Sequence, residues 1–123
     1  MEFKQKQAIY MQIADYIIEN ILADRWKAGE KILSVRELAT NIQVNPNTVM
    51  RTYSFLQEQG IIFNKRGIGY FVAEDALEKT REIRKTDFVD QYLPFLFKTM
   101  DLIGLSFDDL QTFYHTYHHE NKQ

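Results

Sequence analysis

Amide, hydroxyl and guanidinium side chains lie close together in the segment N-P-N-T-V-M-R, from Asn45 to Arg51. Asparagine can form two hydrogen bonds with adenine, and arginine can do the same with guanine. A threonine hydroxyl can bind either a phosphate or a base edge. If one helix carries them on its exposed face, then Asn45, Asn47, Thr48 and Arg51 are candidate DNA-binding residues.

The residues around this segment predict such a helix. Asn45 is suited to the N-cap and Pro46 to the first helical position, where a missing N–H costs nothing. Arg51 lies about 200° around the helix from Val49, at about 100° per residue, and therefore points away from the core. The apolar stripe expected to face the core consists of Val49, Tyr53 and Leu56. On its own such a polar face is more often merely solvated, so the prediction of DNA binding depends on the neighbouring elements.

A second helix precedes this one and begins at a capping box. Ser34 and Glu37 have the spacing at which each side chain accepts a hydrogen bond from the backbone N–H of the other residue. Arg36, in the first turn, is a candidate for contact with a phosphate or a base edge, and a salt bridge or simple solvation is the alternative. Two short helices joined by a tight turn are typical of a helix-turn-helix.

A basic hairpin follows the two helices. Residues 61–63 and 69–72 are short apolar runs that predict two strands around a glycine-containing turn. Basic side chains at such a tip suit a minor groove, and glycine lets a backbone approach closely. The candidate DNA-binding residues here are Lys65, Arg66, Gly67 and Gly69. A basic hairpin alone is usually a solvated turn, but after a helix-turn-helix it predicts a wing.

Helices are predicted on both sides of this region. Apolar residues recur every four positions between residues 8 and 23, which predicts an amphipathic first helix. Charged helix-forming residues predict a long helix from about residue 74, which Pro94 should kink or divide near Leu93. Ser106 is suited to the N-cap of a last helix.

The C-terminal helices carry more aromatic side chains than two helices can bury alone. Such a surplus predicts an interface between two copies of the chain, although the same side chains could cover the winged-helix core within one chain. The residues concerned are Phe88, Tyr92, Phe95, Phe97, Phe107, Phe113 and Tyr117. The predicted fold class is therefore α+β. A winged helix-turn-helix with three helices and a β-hairpin occupies residues 1–73, and a short two-helix dimerisation region occupies residues 74–123.

The formal net charge of −2 is an average over two unlike halves. Residues 1–72 contain nine Lys/Arg and seven Asp/Glu, a net +2, whereas residues 73–123 contain six and ten, a net −4. Phosphate binding needs local rather than global basicity, so the first half can face DNA. Because the chain has no cysteine, no membrane-spanning run and no signal-peptide core, we expect a cytoplasmic protein without disulfides.

Three histidines lie near the C-terminus, His115, His118 and His119. The i, i+4 spacing of His115 and His119 can ligate zinc, but histidine in a last helical turn is also favoured by the helix dipole. No second element offers an obvious further ligand, so we expect no metal site. The chain also lacks a recognisable nucleophile–base pair or phosphate-binding loop, and we expect neither an enzyme nor a cofactor.

Four motifs occur in a characteristic order along the first part of the chain. They are I-Y-M-Q-I-A-D-Y-I from Ile9, A-G-E-K-I-L-S-V-R-E-L-A from Ala28, V-N-P-N-T-V-M-R-T-Y from Val44 and R-G-I-G-Y-F-V from Arg66. In these motifs the chain resembles the winged-helix domain of the GntR superfamily of bacterial transcription regulators. The short helical remainder is similar to the YtrA subfamily.

The resemblance implies a homodimer that binds a palindromic operator through its winged helices and dimerises through its small helical tail. Two positions depart from the family pattern, since Leu33 stands where proline is usual and Tyr70 where threonine is usual. Carried over by position, the implied DNA contacts are made by Arg36, by Asn45, Pro46, Asn47 and Thr48, by Arg51, and by the wing at Arg66, Gly67 and Gly69.

We therefore predict a sequence-specific DNA-binding transcription regulator, a repressor that occludes a promoter as a homodimer. A winged-helix module that binds proteins and has no DNA role is one alternative. A sensor gated by a metal ion or a small ligand is the other, and the sequence leaves the existence of an effector open.

Overall fold

A computed structural model describes residues 7–121 of the chain. These residues divide into two compact units, one extending to residue 84 and one beginning at residue 85, which we call the N-terminal and the C-terminal unit. Within the described part of the chain, no helix combines the length and the apolar character that crossing a membrane requires.

Three helices form the first part of the N-terminal unit. They are α1 (Ile9–Leu22), α2 (Val35–Ile42) and α3 (Pro46–Glu58). The isoleucine repeat gives α1 a buried face at Ile13, Ile17, Ile18 and Ile21, whereas Ile9 in the first turn is half exposed. Both α1 and α2 pack against α3.

The turn between α2 and α3 is short and well bonded. Gln43 adopts the left-handed conformation, with φ 56° and ψ 52°, and its neighbour Val44 donates a backbone hydrogen bond to the carbonyl of Ala39 at 3.0 Å. The left-handed residue turns the chain sharply, so that Asn45 can cap the next helix immediately. The two helices and this turn form the predicted helix-turn-helix.

A two-stranded antiparallel hairpin follows α3. Strands β1 (Ile62–Lys65) and β2 (Gly69–Val72) pair so that Lys65 lies opposite Gly69 at the closed end. The extended segment that includes Lys31 contributes only one isolated bridge, to β2. This hairpin is the predicted wing, and we use that name for it below.

The core of the N-terminal unit lies between α1, α2, α3 and the wing. Its largest fully buried side chains include those of Tyr53, Ile17, Ile21, Leu56, Ile61, Ile62, Val49 and Val72. Ile62 and Val72, which lie opposite each other at the open end of the hairpin, are its buried strand residues, so this end of the hairpin enters the core. The apolar stripe predicted for α3 is therefore confirmed as its buried face.

Helix α4 (Ala76–Asp87) packs onto the same core in its first turns. Ala76 and Thr80 are buried, and Ile83 packs against the core cluster. Arg84 forms an ion pair with Asp15 of α1, with 3.1 Å between the guanidinium nitrogen and the carboxylate oxygen. The compact N-terminal unit thus continues to residue 84. That residues 74–123 serve dimerisation stays a prediction.

The C-terminal unit begins with a change of helical type. Residues Phe88–Tyr92 form a π-helical turn that leads into α5 (Leu93–Ile103), and the Leu93 N–H bonds to the Phe88 carbonyl, five residues earlier. Pro94 has no N–H and crowds the carbonyl four residues before it, so the α-helical bonding cannot continue unchanged. The predicted disruption near Leu93 is confirmed.

Helix α6 (Phe107–Glu120) is the last element. Gly104 ends α5, and Ser106 starts α6 with a complete capping box. The Ser106 hydroxyl accepts from the Asp109 N–H and the Asp109 carboxylate accepts from the Ser106 N–H, both at 3.1 Å. The predicted start of the last helix is thus confirmed.

Candidate nucleic-acid interface

The N-terminus of α3 presents polar side chains to solvent. The Asn45 side chain accepts a hydrogen bond from the Asn47 N–H at 2.7 Å, and Pro46 occupies the first turn. Asn45, Asn47 and Arg51 are exposed and Thr48 is partly buried. The predicted recognition face therefore lies on the accessible side of the helix, which is the arrangement a major groove requires.

The opposite side of α3 is fixed by Tyr53. Its side chain is buried, and its hydroxyl donates a hydrogen bond of 2.6 Å to the carbonyl of Leu33. The Tyr53 ring also meets the ring of Tyr70 in β2 edge-on, with 4.8 Å between centroids. Burial raises the pKa of the Tyr53 hydroxyl well above its usual range. One side chain thus joins α3 to the start of α2 and to the wing.

Both positions that depart from the family pattern lie at this junction. Leu33 contributes its backbone carbonyl, which a proline at the same position also possesses. Tyr70 contributes its ring to the edge-on contact with Tyr53, and its own carbonyl accepts a hydrogen bond from the Ile32 N–H at 3.0 Å. The substituted wing residue is therefore integrated into the fold.

Arg51 has an aromatic neighbour that the sequence did not reveal. Its guanidinium carbon lies 3.9 Å from the centroid of the Tyr10 ring in α1. The next residue on α3, Thr52, donates from its hydroxyl to the Tyr10 carbonyl at 2.7 Å. Because these contacts span about forty residues of sequence, no local pattern predicts them.

Helix α2 presents Arg36 in its first turn. The predicted capping box is present, because the Ser34 hydroxyl accepts from the Glu37 N–H at 3.1 Å and the Glu37 carboxylate accepts from the Ser34 N–H at 2.9 Å. The hydrogen bond from the Ser34 backbone is the largest cause of a lowered pKa of the Glu37 carboxyl. Arg36 is exposed, as contact with DNA requires.

The wing carries its basic residues at its exposed end. The Ile68 N–H bonds to the Lys65 carbonyl at 2.8 Å, which closes a four-residue turn through Arg66 and Gly67. Gly67 has φ 79° at the third position of this turn, a conformation that favours glycine. Gly69 has φ 143°, where side chains are likewise disfavoured. At both predicted wing glycines, Gly67 and Gly69, the backbone conformation therefore favours glycine.

Lys65 is held against the outer surface of the wing. Its ammonium nitrogen lies 5.0 Å from the centroid of the Phe71 ring, and this ring stacks on that of Phe63 at 5.7 Å. Lys65 and Arg66 are both exposed. The turn therefore offers two solvated cations beside a backbone that carries no side chain at Gly67.

The basic side chains of the candidate interface keep their charge available. Within residues 7–121, ion pairs join Lys27 to Asp24, Lys79 to Asp75 and Arg84 to Asp15, and no ion pair neutralises a candidate cation. The candidate cations are Arg36, Arg51, Lys65 and Arg66. Such unneutralised cations are suited to a polyanion.

The aromatic residues predicted to form a dimer interface lie in the C-terminal unit. Six of the seven are half or more exposed, or nearly so, and Phe95 is partly buried. The exposed six are Phe88, Tyr92, Phe97, Phe107, Phe113 and Tyr117. Along α6 every residue is exposed except Leu110, which is partly buried. This unit therefore carries an extensive apolar surface open to solvent.

The histidines of α6 lie among its aromatic side chains. The ring of His118 meets that of Tyr114 at 4.4 Å and that of Tyr117 at 5.6 Å, centroid to centroid. In the part of the chain that the structure describes, no group of three or more His, Cys, Asp or Glu residues is arranged to hold a metal ion. His115 and His119 thus have no third ligand among these residues.

Comparison with known proteins identifies the family. Residues 9–72 match the gntR family of bacterial regulatory proteins. The chain is 38% identical over 109 residues to the HTH-type transcriptional regulator YhcF of Bacillus subtilis, covering 89% of this chain and 88% of that protein. It is 42% identical over 83 residues to the transcriptional repressor YtrA of Bacillus subtilis, covering 68% and 64%.

A solved structure extends the match to the fold. A GntR-family transcriptional regulator from Bacteroides thetaiotaomicron superposes with a TM-score of 0.81 at 38% sequence identity, covering 94% of this chain and all of that one. The match thus extends beyond the helix-turn-helix and the wing into the C-terminal helices. The chain belongs to the gntR family of bacterial regulatory proteins.

Proposed function

We propose that this DNA-binding transcription regulator is a repressor that acts as a homodimer on a palindromic operator. The observation that carries the proposal is the exposed polar N-terminus of α3, supported from behind by the buried ring of Tyr53 and flanked by the basic wing. The proposed role is regulatory, not catalytic, and binding to chromosomal DNA would place the protein in the cytoplasm.

In this proposal α3 is the recognition helix and enters the major groove. Asn47 and Arg51 would hydrogen-bond to bases, while Thr48 and the N-cap region at Asn45 would contact a base edge or a phosphate. The exposure of Asn45, Asn47 and Arg51 and the absence of an ion pair to Arg51 within residues 7–121 support these roles.

The remaining contacts are assigned to α2 and the wing. Arg36 in the first turn of α2 would bind a phosphate or a base edge. Lys65 and Arg66 would reach a minor groove, and the glycines at positions 67 and 69 would let the backbone come close to the sugar-phosphate chain. The solvated cations of the wing support this assignment.

The C-terminal unit would join two copies of the chain. Its exposed aromatic side chains form a larger apolar surface than an isolated monomer normally leaves in water. A symmetric dimer would bury the same side chains from both copies and place two recognition helices in successive major grooves, about 34 Å apart. Such a dimer would repress transcription by occluding a promoter.

Binding of DNA by two matched pairs of variants tests the proposal. An operator is first selected with the wild-type protein from a pool of random sequences. Asn47→Ala and Arg51→Ala should each weaken binding to it by about five- to hundredfold, because each removes a base contact. Asn41→Ala in α2 and Arg81→Ala in α4 are exposed controls of the same residue types and should bind normally.

The alternatives predict different results. A winged-helix module that binds only proteins would select no DNA sequence. If Asn47→Ala and Arg51→Ala bind the operator as the wild type does, the assignment of base contacts to this face of α3 is wrong. A metal-gated sensor built on His115 and His119 would bind its operator differently before and after treatment with a chelator. We expect the same affinity in both conditions.

A further inference from the structure

Tyr10, in the first turn of α1, touches two consecutive residues of the recognition helix. Its ring lies 3.9 Å from the guanidinium carbon of Arg51, and its carbonyl accepts the hydroxyl hydrogen bond of Thr52 at 2.7 Å. Thr52 is fully buried, whereas Arg51 is exposed. One residue of α1 therefore accepts a hydrogen bond from a buried side chain of α3 and also contacts a side chain on the outer face of that helix.

The contact with the ring constrains Arg51 without neutralising it. A guanidinium over an aromatic ring is attracted to the face of the ring, yet it keeps its positive charge and its N–H donors. An ion pair with a carboxylate would occupy those donors, and within residues 7–121 Arg51 has no such pair. The ring thus restricts an otherwise flexible side chain and leaves it able to bind DNA.

We infer that Tyr10 is a positioning residue of the DNA interface, which acts by holding the Arg51 guanidinium in the orientation needed to contact a base. This inference rests on the proposed role of Arg51. It assigns part of the sequence specificity to α1, which lies outside the helix-turn-helix, and it requires no contact between Tyr10 and DNA. The aromatic ring is the required group, and the hydroxyl is not.

Three variants separate the ring from the rest of the side chain. Tyr10→Phe keeps the ring, Tyr10→Leu replaces it by an aliphatic group, and Tyr16→Leu makes the same change in α1 at an exposed tyrosine that packs on Trp26 instead. We compare their binding to the selected operator and to a DNA in which the base pair read by Arg51 is replaced. That base pair is identified with Arg51→Ala.

The expected effect is a loss of discrimination. Tyr10→Leu should reduce the ratio of the two affinities by about two- to fivefold, which corresponds to an exposed cation–π contact. Tyr10→Phe and Tyr16→Leu should keep the wild-type ratio. Because both DNAs are tested with one preparation, a reduced fraction of folded Tyr10→Leu lowers both affinities alike and leaves the ratio intact.

A double variant tests whether Tyr10 acts through Arg51. Here the ratio compared is that of the affinities for the operator and for an unrelated DNA, to which other base contacts also contribute. Tyr10→Leu should lower this ratio by about two- to fivefold in the wild-type background, and should not change it in the Arg51→Ala background, since the group that Tyr10 positions is already absent. An equal loss in both backgrounds, or no loss from Tyr10→Leu alone, would overturn the inference. A loss with Tyr10→Phe would overturn it too, because the hydroxyl would then be a direct DNA contact.

Failure of the proposed function has a different signature. If the wild-type protein selects no operator, then the proposed sequence-specific DNA binding is wrong, and the inference about Tyr10 is wrong as well. If the wild type selects an operator and Arg51→Ala binds it normally, DNA recognition stands, but the roles of Arg51 and of Tyr10 are both overturned. If Arg51→Ala weakens binding and Tyr10→Leu leaves the ratio of the two affinities unchanged, only the role of Tyr10 is overturned.

Discussion

The two units of the chain differ in how far their aromatic side chains are covered. In the N-terminal unit Tyr53 is 1% exposed, and its hydroxyl is bonded to Leu33. In the C-terminal unit Phe107 is 70% exposed and Phe113 is 60% exposed. Most aromatic side chains described in the first unit are buried or partly buried among its own elements, with Tyr16 and Phe63 as exposed exceptions, whereas most of those in the second unit are exposed to solvent.

This difference separates the stabilisation that comes from folding of one chain from the stabilisation that comes from association of two chains. A unit with its own buried core is stabilised at any protein concentration. A unit whose apolar side chains are solvated gains that stabilisation only when another molecule covers them, so its contribution depends on concentration. Substitutions in the N-terminal unit should therefore change the free energy of unfolding, whereas substitutions in the C-terminal unit should change the affinity between two copies of the chain.

Removal of a core side chain from the N-terminal unit should have the largest effect. Leu56 is fully buried, and Leu56→Ala should lower the free energy of unfolding by about 2–5 kcal/mol because it leaves a cavity. Urea unfolding at several protein concentrations measures this, and the difference from wild type should not vary with concentration. Ile68→Ala, at the exposed tip of the wing, should change stability by less than about 0.5 kcal/mol.

An aromatic side chain of the C-terminal unit should affect association instead. If Phe113 becomes buried between two copies, Phe113→Ala should weaken dimerisation by about ten- to hundredfold, because full burial of such a side chain contributes about 1.5–3 kcal/mol. Sedimentation equilibrium measures the dissociation constant, and Tyr16→Ala in α1 serves as the exposed aromatic control. If the wild-type protein stays monomeric at micromolar concentration, the proposal that the C-terminal unit joins two copies of the chain is wrong.

The smallest effect is expected from one buried hydroxyl. Tyr53→Phe removes the hydrogen bond to the Leu33 carbonyl and should lower the free energy of unfolding by about 1 kcal/mol at neutral pH. The same change at Tyr117 in α6, which is 61% exposed, should have little effect on a dilute sample.

The stability of the wild type should also depend on alkaline pH. Burial raises the pKa of Tyr53 in the folded protein, so above pH of about 10 the unfolded chain loses this proton while the folded chain keeps it. The contribution is fully present below that pH and is lost as the pH rises towards the raised value. Stability should therefore fall more steeply for wild type than for Tyr53→Phe, and equal slopes would contradict this assignment.

Local signals in the sequence predicted the local structure. The capping box at Ser34 and Glu37, the cap at Asn45 and the glycine-containing turn at Gly67 each involve neighbours along the chain, and each is present. Pro94 predicted where the long helix is disrupted but not that the disruption is a π-helical turn. That outcome depends on how the surrounding backbone redistributes its hydrogen bonds.

Contacts between distant segments were not predictable in the same way. Periodicity identified Arg51 as an outward-facing residue of α3, but the ring beneath it belongs to Tyr10, at the start of α1. Likewise, Tyr53 was expected in the core, yet its bond to Leu33 and its contact with Tyr70 depend on how three elements pack. The sequence therefore predicted the exposed face of α3 but not the contacts with other elements that hold this helix in place.

The adjacent residues Thr52 and Tyr53 have a consequence for control. Thr52 ties α3 to α1, and Tyr53 ties it to the start of α2 and to the wing. These attachments leave α3 little freedom to tilt or slide within its unit, so we expect each winged helix to move as one rigid body. A signal that regulates the proposed dimer would then change the distance between its two winged helices, while the structure of each winged helix stays the same.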